Sequence, residues 1–391
     1  MPENYSPGII DYIKWRGDIS LDTDPFGTVD ALVLAELSYV SFEKVLCTDA
    51  ERLSLRTAAA RFSKDDVDEK LRIYTFEQDA ELLALAGGSE RFGNIVAGGY
   101  TAKLSAEREQ QFAAMTFTLP DGTVFIAYRG TDDTIAGWKE DFNFSYMTET
   151  PAQKLAAEYL EARAAEFPDA RLLAGGHSKG GNLAVYAAMK CSGEVRGRLM
   201  RVYSLDSPGF RDETVKSAEF RAVQPIVTSV IPESSLVGQL LTGETEHGLY
   251  ADQMIVRSSG TGVMQHMAFT WEVMRNRFVR AEELSGFGTF VNRTVRTWLS
   301  DMDDENRRMF TKALFDVLEA SDADTFSELG KSKLKTSAAF IKAMKALKPE
   351  QQAAMKHAFK ELAKSGRHAL IEFAEEWKQS EQAIEDKSQA K

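Results

Sequence analysis

The chain has two cysteines, Cys47 and Cys191, which cannot form a disulfide framework, and no C-x-x-C is present. It has no apolar run near the roughly 18 residues that a membrane helix needs. Its first residues, Met-Pro-Glu-Asn-Tyr-Ser, offer no basic n-region and no apolar h-region. These absences predict a cytoplasmic protein without a transmembrane segment. Excess positive charge is also missing: 47 Lys and Arg face 59 Asp and Glu, a net charge of −12. Phosphate binding needs a basic surface, so nucleic acid is not an expected partner. Only five histidines are present, which shortens any search for a general base.

What is present is a globular composition. With 43% hydrophobic residues over 391 positions, the chain can bury a sizeable core. That length suits two or three domains, or one large α/β domain with an appendage. Composition shifts near residue 285. Residues 285–391 hold only 4 of the 27 Gly and 1 of the 10 Pro, which predicts a helical C-terminal region after a core at 1–284. Helical spacing supports this at Phe310, Ala313, Leu314, Val317 and Leu318, at Phe340, Met344 and Leu347, and at Leu370, Phe373, Ala374 and Trp377. Pro349 and Glu350 suit a helix start. Such stripes read as packing surface, though the region also offers a possible docking face for a protein partner.

The first part alternates strand and helix signals. Phe112–Leu119 and Thr123–Tyr128 are β-rich runs joined by Pro120-Asp121-Gly122, a hairpin signal. Pro151–Glu166 reads as a helix, Arg171–Ala174 as a short strand and Asn182–Met189 as a helix. Met200–Leu205, Gln224–Ile231 and Met254–Val256 read as further strands. This order predicts an α/β fold with a largely parallel sheet and helices on both faces.

Between one strand and the next helix stands Gly176-His177-Ser178-Lys179-Gly180, a G-x-S-x-G. In that context it reads as a nucleophile elbow, a sharp turn that projects the serine hydroxyl above the sheet. A serine needs a base to take its proton. His177 lies within the elbow and reads as structural, and His357 and His368 lie in the helical tail. His247 and His266 remain. His266 follows the Met254–Val256 strand through the Gly-rich loop Ser258–Gly262 and precedes a helix start at Phe269 and Trp271, which favours it as the base. The base needs an acid to fix its tautomer. On sheets with such an elbow the chain order is Ser, acid, His. Asp206 ends the next strand and is the preferred acid, with Glu233 the alternative. An oxyanion hole needs two donors. The N–H of Lys179 is one, and Thr131, at the end of the Thr123 strand, offers its N–H and its hydroxyl. The Lys179 side chain, following a turn, is expected in solvent.

These residues carry a resemblance. Val124-Phe125-Ile126-Ala127-Tyr128-Arg129-Gly130-Thr131, then Trp138 and Asp141, is similar to the F-R-G-T region of class 3 lipases. The elbow through Asn182-Leu183-Ala184 resembles theirs. Asp206-Ser207-Pro208-Gly209-Phe210 and Gln265-His266-Met267-Ala268-Phe269-Thr270-Trp271, with Asp11-Tyr12 and Trp15-Arg16 near the start, resemble a bacterial lipase-like family called Mbeg-like. The resemblance implies an α/β-hydrolase fold, Ser178 as nucleophile, His266 as base and Thr131 as an oxyanion contributor. Class 3 lipases place the acid in the neighbourhood of Glu233, pancreatic-type lipases in that of Asp206. The implied activity is hydrolysis of a small-molecule or lipid acyl ester, with no metal and no cofactor. A non-catalytic binding or scaffold protein on the same fold, and a peptidase or acyltransferase using the same triad, are the alternatives.

Overall fold

The computed structural model describes residues 6–67, 75–132 (short of 106 and 108), 135–241 (short of 236), 249–284 (short of 251 and 261), 302–319 and a few positions between 349 and 360. Eight strands form one sheet in sequence order. They are β1 (Arg52–Ser54), β2 (Val96–Ser105), β3 (Gln110–Thr118), β4 (Val124–Tyr128), β5 (Leu172–His177), β6 (Leu199–Leu205), β7 (Val227–Pro232) and β8 (Asp252–Val256). From β1 to β4 the pairing is antiparallel, and from β4 to β8 it is parallel. The parallel half carries the predicted strand–helix alternation.

Helices α1 (Ile9–Arg16), α2 (Thr28–Leu37), α3 (Leu55–Arg61) and α4 (Phe76–Gly88) precede β2. Helices α5 (Ile135–Asn143) and α6 (Pro151–Glu166) join β4 to β5. Helices α7 (Lys179–Lys190) and α8 (Gly193–Arg198) join β5 to β6, and α9 (Asp212–Val215) and α10 (Ala218–Val223) join β6 to β7. No helix among the described residues is long and apolar enough to cross a membrane.

Local chemistry accounts for the element ends nearest the site. The hairpin turns at Gly122, whose φ of +81° suits a residue without Cβ. Helix α6 opens on a capping box: the Gln153 N–H donates to Thr150 Oγ1 at 3.3 Å, and the Thr150 N–H donates to Gln153 Oε1 at 2.9 Å. Pro151 takes the first helical position, where its missing N–H costs nothing.

Alternation along β4 divides the core between the two faces of the sheet. Val124, Ile126 and Tyr128 pack with Ala156 and Leu160 of α6 and Leu183, Ala184 and Ala187 of α7. Phe125 and Ala127 pack on the other face with Leu32, Val33 and Leu34 of α2. Helix α2 is buried from Val29 to Leu37, including Asp30 and Glu36. Arg91 binds Asp30 by two bonds, Nε to Oδ1 at 2.7 Å and Nη2 to Oδ2 at 2.6 Å, and the Tyr12 hydroxyl donates to Oδ1 at 2.7 Å. This buried ion pair ties α1 and α2 to the segment after α4.

The helix Asp304–Glu319 packs on α5. Phe315 meets Phe142 edge-on at 5.5 Å, and Phe310 and Ala313 are buried beside it. Arg307 Nη1 donates to the Ser145 carbonyl at 2.7 Å. The first of the predicted tail stripes is thus packing surface. The stripes beginning at Phe340 and Leu370 lie outside the described residues.

Candidate active site

Strand β5 ends at His177, and α7 begins at Lys179. Ser178 alone makes the turn, with φ +58° and ψ −136°. A non-glycine residue there is strained, and such strain clusters at functional sites. Neighbouring glycines make the close approach possible. A Cβ on Gly180 would stand 2.0 Å from the Tyr128 carbonyl oxygen, and one on Gly176 would stand 2.4 Å from the same atom.

Ser178 Oγ lies 2.9 Å from His266 Nε2, and His266 Nδ1 lies 2.7 Å from Asp206 Oδ2. The structure therefore brings Ser178, His266 and Asp206 into one hydrogen-bonded line. Asp206 is fully buried just beyond β6, and its φ of +48° is one that Asp tolerates better than most residues. Its other oxygen, Oδ1, accepts from the Ser235 hydroxyl and from the Gly238 N–H at 3.1 Å. Glu233 follows β7, where its N–H donates to the Val256 carbonyl. The carboxylate on His266 is that of Asp206. His247 lies outside the described residues.

The segment bearing His266 differs from the expected helix start at Phe269. It forms two short 3-10 turns, Gly262–His266 and Ala268–Thr270, followed by a two-stranded ladder. Side chains of the motif anchor it. Trp271 Nε1 donates to the Gln265 carbonyl at 2.9 Å, and Gln265 Oε1 accepts the Ser234 N–H at 2.8 Å. Asn182 of α7 fixes the other loop. Its Nδ2 donates to the carbonyls of Pro208 and Gly209 at 3.1 and 2.9 Å, while its Oδ1 accepts from Gln153 Nε2 at 2.9 Å. These bonds give a physical reason for Asn182 beside the elbow and Gln265 beside the histidine.

His177, read from the sequence as structural, touches the candidate base. Its ring stacks on His266, and its Nε2 lies 2.8 Å from the His266 carbonyl oxygen. A carbonyl only accepts, so Nε2 carries the proton and Nδ1 is an acceptor. Glu36 Oε1 lies 3.1 Å from that Nδ1. Burial, reinforced by the nearby His266, holds the His177 pKa well below its ordinary value. Burial, reinforced by Asp79, raises that of Glu36 well above its own. The Tyr39 hydroxyl lies 3.4 Å from the same Nδ1, while Glu36 Oε1 makes no hydrogen bond among the described residues, and through Nε2 the ring donates to the loop of His266. Asp79 lies behind them, and burial pushes its carboxyl up to about 8. No local motif in the sequence marks Glu36 or Asp79.

Lys179 departs from expectation. Its side chain is fully buried, because the ammonium reaches the Gln111 carbonyl at 2.9 Å, Glu140 Oε2 at 3.2 Å and Asp141 Oδ1 at 3.9 Å. A buried ammonium persists where carboxylates and carbonyls replace its water. As the first residue of α7, Lys179 has an N–H without an intrahelical acceptor. Thr131 is also more committed than expected. Its hydroxyl donates to Asp141 Oδ2 at 2.5 Å.

Solved structures offer distant likenesses. A mutant of the MDLA protein of Penicillium cyclopium is 11% identical, with a TM-score of 0.37 over 65% of this chain and 84% of its own. A fungal lipase in complex with an inhibitor is 16% identical, with a TM-score of 0.30 over 42% and 67%. No curated protein matches the chain. The Mbeg1-like family model matches residues 86–316, more than half of the sequence and the whole run from β2 through Ser178, Asp206 and His266, and the chain belongs to the Mbeg1-like family.

Proposed function

We propose that this protein is a serine hydrolase that cleaves acyl esters through a covalent acyl-enzyme. The observation that carries the reading is the unbroken line from Ser178 Oγ through His266 to Asp206, with bonds of 2.9 and 2.7 Å, at a strained strand-to-helix turn. Strain, base and acid converge on one hydroxyl, which is what an activated serine requires.

In this reading Ser178 Oγ attacks the ester carbonyl and passes its proton to His266 Nε2. Asp206 keeps Nδ1 protonated, so that Nε2 is free to accept, and offsets the imidazolium charge. The oxyanion takes the N–H groups of Lys179 and Thr131. Collapse of the tetrahedral species breaks the bond to the alkoxy oxygen, and His266 returns the proton to the departing alcohol. Water then attacks the acyl-enzyme, giving its proton to the same nitrogen. The acid leaves and the serine is restored. No step calls for a metal or cofactor. Substrates are small-molecule or lipid acyl esters.

The test is turnover of p-nitrophenyl esters of graded acyl length by the full chain and by Ser178→Ala. Wild-type turnover that drops in the variant by about 10⁴-fold or more supports the reading. Equal rates in the two proteins would end it.

A further inference from the structure

The side chain of Lys179 is a feature of the elbow that the reaction above does not use. A cation at the first turn of a helix opposes the helix dipole, and a buried ammonium is costly unless it is paired. Lys179 bears both penalties. Its partners form a graded set. Glu140 is fully engaged: Oε1 accepts the Ala152 N–H at 2.8 Å, and Oε2 accepts the Gln111 N–H at 2.9 Å together with the ammonium. Asp141 is engaged on one side only. Its Oδ2 takes the Thr131 hydroxyl, while its Oδ1 is buried with no hydrogen bond among the described residues and faces the ammonium at 3.9 Å.

We infer that Lys179 is a positioning residue that joins the two halves of the oxyanion hole, giving one donor through its main-chain N–H and holding the residue of the other donor through the path Nζ–Asp141–Thr131. The inference rests on the ester-hydrolase reading and deepens it. Two observations carry the path beyond proximity. The loop bearing Thr131 and the elbow belong to neighbouring strands, β4 and β5, which leave the sheet side by side. The cluster is also braced from behind, since α5, which bears Glu140 and Asp141, carries Phe142 against Phe315 of the helix Asp304–Glu319.

Charge explains why the lysine is needed. Asp141 is faced by Lys179 from α7, by Glu140 from its own helix, by Asp132 from the preceding loop, and by Tyr39 from beyond α2. Arg129 is paired with Asp132 at 3.3 Å. Burial lifts the Asp141 carboxyl to about 6 against the pull of Lys179. Removing that cation lifts it further. The carboxylate that grips Thr131 then forms only at higher pH.

The experiment compares wild type, Lys179→Met and Lys179→Met/Glu140→Gln in ester turnover against pH, with thermal unfolding measured alongside. The double variant removes cation and strong partner together, so it keeps the test open where the single variant does not fold. The expected result is a kcat lower by about tenfold or more, a KM within about twofold, and an acidic limb of the pH profile displaced upward, in a double variant that stays folded at the assay temperature but melts below wild type, because the glutamine amide has one oxygen for the two N–H groups that Glu140 accepts. A folded double variant with wild-type kcat and an unmoved acidic limb would mean that Lys179 only neutralises Glu140, and the inference would fall. Wild-type protein without turnover would remove the hydrolase reading and this inference with it, which separates the two failures.

Discussion

The imidazole rings of His177 and His266 stack with centroids 4.6 Å apart and 29° between their planes, while the first ring also hydrogen-bonds the main chain of the second residue. Neighbours in the elbow thus play different roles. Ser178 faces the Nε2 of His266, and His177 holds the loop that presents it. Because burial keeps His177 below its ordinary pKa of 6.5, the unfolded chain binds a proton there that the folded chain does not. The sign follows: this residue lowers stability as pH falls below about 6.5.

His177→Phe keeps an aromatic face on His266 and removes both ring nitrogens. We predict a kcat/KM about tenfold lower, the equivalent of one lost hydrogen bond. The loss of stability toward acid pH should also become shallower, as read from urea midpoints at pH 5 and pH 8. An unchanged rate would show that the loop of His266 holds its place without the bond.

Asp79 has the opposite sign. Its folded carboxyl titrates at about 8 against an ordinary 3.8, so folding takes up a proton across that range, and stability is lost as pH rises from about 4 to 8. Asp79→Asn should therefore raise the unfolding temperature at pH 8 and change it little at pH 4. Equal shifts at both pH values would contradict this assignment.

Asp206→Asn should lower kcat by about 10⁴-fold, as happens when a triad histidine loses the acid that fixes its tautomer. Glu233→Gln should leave kcat within about twofold, because the carboxylate at 2.7 Å from Nδ1 is that of Asp206. Steady-state rates of the two variants decide between the carboxylates, and a crippled Glu233→Gln would reverse the choice.

Gly180→Ala should destabilise the fold by more than about 4 kcal/mol, because its Cβ would lie 2.0 Å from the Tyr128 carbonyl oxygen, where backbone must move. Gly193→Ala, with open space around its Cβ, should be neutral or stabilising by up to about 1 kcal/mol. Urea unfolding of the pair gives both values. Similar midpoints would mean that the elbow is looser than its contacts imply.

Much of this arrangement was legible in the sequence where the determinants are local. The run Pro151–Glu166 marks α6, Pro120-Asp121-Gly122 marks the hairpin, and the glycines around Ser178 mark the elbow. Asp206 and His266 were legible through strand ends and chain order. Long-range pairing hid the rest. Lys179 reads as solvated because its acceptor Glu140 lies 39 residues earlier, and only the fold sets them together. Glu36 belongs to a helix buried on all sides, so it gives no amphipathic pattern, and its meeting with His177 crosses the sheet topology. The turns around His266 replace a helix because Trp271 folds back on Gln265.

The central claim is that Ser178 is an activated nucleophile. The most direct measurement is labelling of the full chain with a fluorophosphonate probe, read by intact mass and peptide mapping, beside Ser178→Ala and His266→Ala. We predict one adduct per chain, on Ser178, absent from the first variant and strongly slowed in the second. A folded wild-type protein that takes up no probe, or that is labelled at the same rate without His266, would contradict the account.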